Sequence, residues 1–356
     1  MRKLDRVMVT GGAGFIGSNF IRYLFRKTGF GGTVINADAL TYAGNLENLA
    51  DIQSEYGGGR YLFERVDIAD YEALLGAFRK HRPDTVVHFA AESHVDRSIY
   101  GPKDFVCTNV IGTFNLLEAV RERWKEQKGV HFHHVSTDEV YGSLDRGGFF
   151  YEHTPYDPHS PYAASKASSD HLVRAYSRTY GVPVTLSNCS NNYGPFQFPE
   201  KMVPLMILNM LEGRQLPLYG DGRHVRDWLY VEDHATAIWL ILNRGRTGQT
   251  YNIGGDCQLE NRELLDLLCE LVAARTGTDP GRYRELVTPV ADRPGHDRRY
   301  AINFDKLRNA LGWEPATPLR EGLDRTIAWY LENPGWVDRV RSGAYREWIE
   351  KNYSSR

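Results

Sequence analysis

The 356-residue sequence has few cysteines, no long apolar run and almost no net charge. Its cysteines, Cys107, Cys189, Cys257 and Cys269, are widely spaced and contain no CxxC pair, which argues against a zinc ribbon or a disulfide framework. No stretch approaches the ~18 consecutive apolar residues of a membrane-spanning helix. The formal net charge of −2 provides no global positive field for nucleic acid or anionic lipid. We therefore expect a cytoplasmic protein with no nucleic-acid or membrane partner.

A metal site is also not expected. His131, His133 and His134 lie in one apolar run, and His131 and His133 would share a face of a strand. No carboxylate or second histidine pair at ligand spacing accompanies them, so the cluster lacks the rest of a coordination set.

Short apolar runs alternate with helical patterns through the first half of the chain. This alternation predicts an α/β fold, a doubly wound parallel sheet of the Rossmann type with both faces covered by helices. The predicted strands are Val7–Thr10, Thr33–Asn36, Arg60–Val66, Thr85–Phe89, His131–Ser136 and Val182–Leu186. The predicted helices are Ile16–Phe25, Tyr71–Lys80, Asn109–Lys125 and Ser160–Tyr180.

The second half consists of shorter pieces separated by proline and glycine. Asp227–Asn243 followed by Thr250–Ile253 is an exception, and its strand–helix–strand pattern predicts a return to the main sheet. We predict one domain over residues 1–190 with 227–258 returning to it, and a smaller mixed substrate domain over residues 191–356. The tail from Trp329 to Trp348 is expected to pack as core.

A glycine-rich turn links the first strand to the first helix. Thr10-Gly-Gly-Ala-Gly-Phe-Ile-Gly17 places glycines at 11, 14 and 17. Missing side chains allow a tight turn and let the backbone approach a pyrophosphate at the helix N-terminus. Gly11, Gly14, Phe15, Ile16 and Gly17 are therefore predicted to bind a dinucleotide.

Acidic and small residues follow the next strands at the rim where such cofactors bind. Asp38 ends the second strand, where its carboxylate can accept hydrogen bonds from ribose hydroxyls and would repel a 2′-phosphate. This favours NAD over NADP. Asp67 and Ile68 follow the third strand, and Ala90 and Ala91 follow the fourth.

Tyr162 and Lys166 are four residues apart and so share one face of a predicted helix. A nearby ammonium group stabilises a phenolate, which makes tyrosine a usable base near neutral pH. Tyr23 and Lys27 have the same spacing, but no candidate catalytic strand end accompanies them. Thr137, Asp138 and Glu139, in contrast, end a strand one crossover before Tyr162.

Three motifs, in order, carry a family resemblance: Thr-Gly-Gly-Ala-Gly-Phe-Ile-Gly, His-Val-Ser-Thr-Asp-Glu-Val-Tyr-Gly and Ser-Pro-Tyr-Ala-Ala-Ser-Lys. They resemble the nucleotide-sugar enzymes of the extended short-chain dehydrogenase/reductase family. The adjacent acids Asp138 and Glu139, with Asn188-Cys-Ser-Asn-Asn-Tyr-Gly-Pro and Phe198-Pro-Glu-Lys, are similar to the dTDP-glucose 4,6-dehydratases within it. The resemblance runs from Val7 to about Ala301.

The resemblance implies a lyase reaction on tightly bound NAD. Tyr162, beside Lys166, would take the C4 hydroxyl proton during oxidation at C4, and Thr137 would hydrogen-bond the same oxygen. Glu139 would remove the C5 proton, Asp138 would protonate the leaving C6 hydroxyl, and hydride would return to C6. Which acid dominates which transfer stays open, because adjacent carboxyls titrate as a pair.

The resemblance also implies further contacts and a homodimer through the helices after residues 104 and 160. The additional cofactor residues are Leu40, Thr41, Thr108 and Asn192. The substrate residues, besides Thr137, are Ser93, Asn191, Glu200, Lys201, Met202, Pro217, Tyr219, Arg226, Asn261, Arg293 and His296. Arginine suits the diphosphate because its planar fork gives bidentate contacts.

Three alternatives remain at this point. A dehydratase of UDP- or CDP-glucose would share both acids and differ in the base pocket around Met202 and Pro217–Tyr219. A 4-epimerase or decarboxylase would need no elimination acid, so Asp138 counts against it. A non-catalytic nucleotide-binding protein would be expected to lack one of Tyr162, Lys166, Asp138 or Glu139.

Overall fold

The computed structural model describes residues 2, 4–125, 127–145 and 147–341. Its centre is a seven-stranded sheet in which every paired neighbour runs parallel. The strands are β1 Arg6–Thr10, β2 Thr33–Asp38, β3 Tyr61–Arg65, β4 Thr85–His88, β5 His131–Thr137, β6 Val184–Cys189 and β10 Thr250–Ile253. The fold class predicted from the sequence is confirmed.

Helices cover both faces of this sheet, which explains why its strands are apolar along most of their length. On one face Phe20 and Ile21 pack with Ile238 and Ile241 in one core, and on the other Leu74 and Leu116 lie in a second core. The helices of the first half are α1 Phe15–Lys27, α2 Ala50–Tyr56, α3 Tyr71–His81, α4 Val95–Tyr100, α5 Pro102–Phe105, α6 Gly112–Arg123 and α7 Pro161–Tyr180.

The strand order β10-β6-β5-β4-β1-β2-β3 places the direction change of the chain between β1 and β4. Connections from β1 run to one side and those from β4 to the other, so their loops separate and leave a crevice at the carboxyl ends. The glycine-rich turn follows β1, and the acid pair Asp138 and Glu139 follows β5.

The second half adds two small sheets and seven helices among the described residues. One sheet has the order β11-β9-β7 and the other pairs β12 with β8. These strands are β7 Asn191–Tyr193, β8 Leu216–Tyr219, β9 Val225–Tyr230, β11 Gln258–Glu260 and β12 Val287–Val290. The helices are α8 Met202–Glu212, α9 Val231–Arg244, α10 Asn261–Thr276, α11 Pro280–Arg284, α12 Asp305–Leu311, α13 Leu319–Glu332 and α14 Pro334–Val340.

The predicted return to the main sheet is only partly correct. Helix α9 packs on the sheet and β10 pairs with β6, but β9 belongs to the three-stranded sheet. The buried carboxylate of Asp227 in β9 accepts the N–H groups of Gly255 and Cys257, which fixes β9 beside the chain that follows β10. The backbone of β9 itself pairs with β7 and β11.

Trp329 and Trp336 pack in the apolar core of the second half, as expected for that stretch, whereas Trp348 lies outside the described residues. The domain boundary at 190/191 stays a prediction. In the described part of the chain, no helix combines the length and apolarity needed to cross a membrane.

Candidate active site

A cavity of about 420 Å³ extends along the carboxyl ends of the main strands and into the second half of the chain. It is lined by every site residue predicted from the sequence except Leu40. Leu40 has a left-handed backbone with φ of 57°, and its N–H donates to Asp38 Oδ1 at 2.8 Å. The strained turn at Leu40 thus supports Asp38, and the predicted cofactor contact of Leu40 is not seen at the cavity wall.

The glycine-rich turn is built so closely that side chains would not fit. A Cβ at Gly11 would lie 2.6 Å from the backbone nitrogen of Ala90, and one at Gly17 would lie 2.3 Å from the Gly11 carbonyl oxygen. Gly14 is the N-cap of α1, and no side chain of the described residues caps this helix. The first-turn N–H groups are therefore suited to hold a pyrophosphate.

Asp38 lies 8% exposed at the end of β2, and its carboxylate is fixed by two backbone donors. Ala13 N–H donates to Oδ2 at 2.9 Å and Leu40 N–H donates to Oδ1. Each carboxylate oxygen has a second lone pair, so the group can still accept ribose hydroxyls. The turn and the carboxylate together fit NAD.

A π-helical segment places another predicted cofactor residue in the cavity. Val106–Ile111 adopts this wider helix between α5 and α6, and Thr108 within it lines the cavity. The side chain of Asn109 donates to the Glu92 carbonyl and to Ser165 Oγ, which joins the segment to α7. Such bulges turn individual side chains out of a regular helical face.

The predicted catalytic residues come from β5, the turn after it and α7. Ser160 caps α7 through its Oγ, which accepts the N–H of Ala163 at 3.1 Å, so Tyr162 and Lys166 project from the first turns. Lys166 Nζ donates to the Val135 carbonyl of β5 at 2.9 Å. This bond brings the start of α7 against the strand that ends in Thr137.

Asp138 is buried, and Glu139 beside it is partly buried. Burial, with the nearby Glu139 charge second, raises the pKa of Asp138 well above its usual range. Burial also raises the pKa of Glu139, although Arg293 and Arg226 oppose the shift. Asp138 Oδ2 has no hydrogen-bond partner within the described residues. Asp138 is therefore the better proton donor of the pair.

The state of Tyr162 differs from the sequence-based expectation. The motif predicts that Lys166 lowers the phenol pKa, but burial and the Glu139 charge raise the pKa of Tyr162 well above its usual range. Burial in turn lowers the pKa of Lys166. A phenolate at Tyr162 and a carboxylate at Glu139 thus oppose each other, so the two bases are suited to act in succession.

Four predicted site residues that line this cavity carry buried polar atoms without a hydrogen-bond partner among the described residues. Within the described part of the chain, Asn191 Oδ1, Asn261 Oδ1, Asp138 Oδ2 and Arg293 Nε are buried without a hydrogen-bond partner. Buried polar groups are nearly always paired, so these atoms indicate a polar ligand. The mixture of one cationic donor and several acceptors suits a sugar attached to a diphosphate.

The two predicted arginines are held differently. Arg226 is 5% exposed, donates to the carbonyls of Val225 and Asp297, and lies 4.2 Å from the Tyr300 ring centroid. Arg293 Nη1 lies 3.7 Å from Asp96 Oδ1, which leaves more of its donors for a ligand. Arg226 is thus rigidly built in, and Arg293 is the more available anion contact.

His296 belongs to a small cluster with Asp292 and His224. Its Nδ1 lies 2.6 Å from Asp292 Oδ1, and its ring stacks on that of His224 at 3.7 Å between centroids. Burial and the charges of Arg293 and Arg226 lower the pKa of His296. His296 therefore meets a ligand as a neutral imidazole. The three side chains hold possible metal-ligand atoms within 4.8 Å of one another, a grouping that the sequence did not predict.

Other predicted residues have defined partners. Lys201 Nζ donates to the Ser93 carbonyl at 2.8 Å, and Tyr219 donates to Asp96 Oδ2 at 3.1 Å. Asn192 Oδ1 lies 2.9 Å from His234 Nδ1. Met202 and Pro217 contribute to the apolar part of the cavity wall.

The histidine run of β5 is not part of the site. His131 and His133 both contact Thr185 Oγ1 and lie away from the cavity.

Several lining residues were not found from the sequence, including Tyr42, Glu92, His94, Asp96, Cys189 and Gln197. Asp96 follows β4, as Ala90 and Ala91 do. The rule that ligands bind at the carboxyl ends of parallel strands would have found Asp96 if it had been extended by one helical turn. Tyr42 follows β2 beside the predicted Thr41 and satisfies the same rule, whereas Gln197 has no such signal, because it follows β7 of the second half.

Comparisons with known proteins agree with this architecture. A family model described as GDP-mannose 4,6 dehydratase matches residues 8–326. A dTDP-glucose 4,6-dehydratase of Shigella flexneri is 52% identical over 365 aligned positions, which cover 99% of this chain and 99% of the relative.

Solved structures give the same result. A dTDP-glucose 4,6-dehydratase from Streptomyces venezuelae with NAD and TYD bound has a TM-score of 0.85 at 47% identity. One from Bacillus anthracis in complex with NAD has a TM-score of 0.83 at 44% identity. Each comparison covers 94% of this chain and 99% of the other. The similarity therefore spans the main sheet and the second half alike.

Proposed function

Because the chain belongs to the GDP-mannose 4,6 dehydratase family, we propose that it is an NAD-dependent lyase that converts dTDP-glucose to dTDP-4-keto-6-deoxyglucose and water. The observation that carries the proposal is that Asp138, Glu139, Tyr162 and Lys166 line one cavity with the glycine-rich turn. A 4-epimerase needs no acid at C6, whereas elimination of water does. All four groups required for the longer reaction are present.

NAD would be held by the first turn of α1 and by Asp38, and when bound it accepts hydride from C4 and later returns it to C6. The protein supplies the proton transfers. In its phenolate form, Tyr162 accepts the proton of the C4 hydroxyl as the C4 ketone forms, while the Thr137 hydroxyl hydrogen-bonds that oxygen. Lys166 lies one turn further along the same helix, with its Nζ held by the Val135 carbonyl.

The ketone makes the neighbouring C5 hydrogen acidic, and elimination then needs a base and an acid. Glu139 removes the C5 proton, the C5–C6 double bond forms, and the C6–oxygen bond breaks. Asp138, kept neutral by burial, gives its proton to the departing hydroxyl, which leaves as water. Glu139 returns a proton to C5 when C6 is reduced. The proton that Tyr162 gained balances the one that Asp138 lost, and exchange with solvent restores both groups.

Residues of the second half and Ser93 would bind the diphosphate, the sugar and the nucleotide of the substrate. Arg293 offers cationic donors to the diphosphate, with His296 as a neutral partner, while Asn191 and Ser93 lie nearer the sugar. Lys201, Met202, Pro217, Tyr219, Arg226 and Asn261 surround the nucleotide. A preference for the thymine base of dTDP-glucose is supported by the relatives at 52% identity.

Isotope transfer tests this proposal directly. The purified protein is incubated with dTDP-, UDP- and CDP-glucose that carry deuterium at C4, and product mass and label position are followed. We expect loss of water with deuterium at C6, fastest for dTDP-glucose. Inverted C4 without water loss would instead identify an epimerase, and faster conversion of UDP- or CDP-glucose would overturn the base assignment.

We also propose a homodimer through α5–α6 and α7. Val106, Ile111, Phe114 and Tyr180 are large apolar or aromatic side chains exposed by 51%, 46%, 41% and 54%. Such a cluster on neighbouring helices fits an isologous contact with a second copy.

A cytoplasmic location is proposed on the four free thiols, which suit a reducing compartment. Fractionation of the source cells tests it. Recovery in the cytosolic fraction is expected, and recovery with secreted or envelope proteins would contradict the location.

A further inference from the structure

The loop after β2 forms one wall of the cavity and faces a segment from the second half of the chain. Thr41, Tyr42 and Gly44 of this loop line the cavity. Phe198 and Glu200, just before α8, line it as well. Any bond between these two segments therefore joins the part of the cavity predicted for the cofactor to the part predicted for the substrate.

Such a bond exists at Tyr42. Its phenol donates to Glu200 Oε1 at 2.8 Å, and Arg97 Nε of α4 donates to the other carboxylate oxygen, Oε2, at 2.9 Å. The Arg97 guanidinium carbon also lies 3.9 Å from the centroid of the Tyr42 ring. The Phe198 ring meets the Tyr42 ring edge-on, with 5.4 Å between centroids. We name this arrangement the Tyr42–Glu200–Arg97 bridge.

The bridge uses Glu200 in a way that the sequence did not predict. The side chain of Glu200 is 1% exposed, and each of its oxygens already accepts one of these hydrogen bonds. A buried carboxylate is stable only while it is paired, because removal of a partner leaves a charge in a low-dielectric site. Glu200 is thus suited to join three chain segments, and its predicted substrate contact stays a prediction.

The same loop is held at further points. Asn48 Oδ1 accepts the Trp336 indole N–H at 2.8 Å, and Arg339 Nε donates to Glu47 at 2.7 Å, both from α14. The Asn48 side chain also donates to the Ala13 carbonyl of the glycine-rich turn at 2.9 Å. Helix α14 therefore holds the loop at Glu47 and Asn48, and the bridge holds it at Tyr42, where it lines the cavity.

We infer that the Tyr42–Glu200–Arg97 bridge closes the cofactor side of the cavity and retains NAD throughout the catalytic cycle. This inference rests on the proposed function, in which the cofactor is reduced and then reoxidised on the same sugar. Loss of the reduced cofactor before elimination would end the cycle with an oxidised sugar. Tyr42, Arg97 and Glu200 are positioning residues in this scheme, because they act through the loop.

Tyr42→Phe is the decisive variant, since it removes only the hydroxyl and keeps the ring between Arg97 and Phe198. Tyr71→Phe is a matched control, because Tyr71 also donates to a glutamate, Glu122 at 3.2 Å, but lies outside the cavity. The proteins are loaded with radiolabelled NAD, chased with unlabelled NAD, and separated by rapid gel filtration. Bound label is then counted against time.

We expect Tyr42→Phe to release NAD about tenfold faster or more, as for loss of one hydrogen bond to a charged group. Tyr71→Phe should release NAD at the wild-type rate. Progress curves of Tyr42→Phe should decline with turnover and recover when NAD is added, which a general loss of stability would not produce. Glu200→Gln should accelerate release, and adding Tyr42→Phe to Glu200→Gln should have little further effect.

The possible failures are distinguishable. Wild-type release from Tyr42→Phe, with NAD bound and turnover normal, would overturn the bridge and leave the proposed function intact. A wild-type protein that binds no NAD would overturn the proposed function itself. Fully additive effects of Tyr42→Phe and Glu200→Gln would show that the two side chains do not act through one bond.

Discussion

At the scale of single residues, the chemistry depends on ionisation states that burial sets. Asp138 and Glu139 are ordinary acids as far as the sequence shows, but enclosure raises the pKa of both. The same enclosure raises the pKa of Tyr162, opposite to the direction that its spacing from Lys166 predicts. The motif identifies these groups. Their buried surroundings shift their pKa values and so determine the order in which they become charged.

Tyr162→Phe should lower kcat by ~10²–10⁴, the usual contribution of one positioned base. NAD binding should be largely spared, because the ring and Lys166 remain. Tyr23→Phe is the control, since Tyr23 and Lys27 repeat the spacing on α1 outside the cavity. Mass spectrometry of the product measures water loss by both variants, and calorimetry measures their NAD binding. Near-normal turnover of Tyr162→Phe would refute its role as base.

Asp138→Asn should slow elimination by ~10²–10⁴ while oxidation at C4 continues, because the amide cannot release a proton. Reduced nicotinamide should then accumulate on addition of dTDP-glucose, as measured by its near-ultraviolet absorbance. Glu139 retains its carboxyl group in this variant, so the base for the C5 proton stays in place. No accumulation together with normal product formation would contradict the acid role.

The same variant gives a stability test. Because the folded-state pKa of Asp138 is raised, the wild type loses stability as pH rises from the unfolded value of 3.8 toward the folded value. Asn stays neutral throughout. The unfolding midpoint of Asp138→Asn relative to wild type should therefore increase with pH, and a difference independent of pH would contradict the raised pKa.

At the scale of elements, close approaches between turns define the cofactor site. The glycine-rich turn lies directly against the end of β4, with room only for hydrogen at Gly11. The sequence indicates that glycine is needed, but it does not identify Ala90 as the neighbour. The placement of β9 in a second sheet is a similar case, because it depends on pairing with β7 and β11, which the sequence does not identify as its neighbours.

Gly11→Ala should weaken NAD binding strongly and lower the unfolding midpoint. The new Cβ would lie 2.6 Å from the Ala90 nitrogen, and φ at this position is +70°. Gly58→Ala isolates the backbone part, since φ there is +74° and no atom of the described residues lies within 4 Å of a Cβ at that position. The left-handed conformation alone costs roughly 1–2 kcal/mol. Calorimetry with NAD and thermal unfolding should show a larger loss for Gly11→Ala; equal losses would rule out a role for the close contact.

At the scale of the whole molecule, one cavity joins the parallel sheet to the second half of the chain. The arginine, asparagine and histidine side chains predicted for the substrate come from β7, β9, α10 and the loop after β12, and they meet the acid pair that follows β5. The second half also fastens the loop after β2. The two halves of the chain are therefore joined along this cavity by direct hydrogen bonds.

Val106→Asp combined with Phe114→Asp should convert the proposed dimer to a monomer, because charge would be introduced into an apolar contact. Leu331→Asp, at a side chain 36% exposed on α13, is the control. Sedimentation velocity at micromolar concentration should give twice the chain mass for wild type and control. A monomeric wild type, or an unaffected double variant, would contradict this interface.

The sequence by itself determined the parallel α/β class, the position of the glycine-rich turn and the identity of the acid pair and the Tyr–Lys pair. These are local patterns, fixed by strand and helix periodicity and by residues adjacent in the chain. Only the tertiary structure decided the sheet of β9, the raised pKa of Tyr162 and the pairing of Glu200 with Tyr42 and Arg97. Each of these depends on burial or on contacts between residues distant in sequence, which no local pattern records.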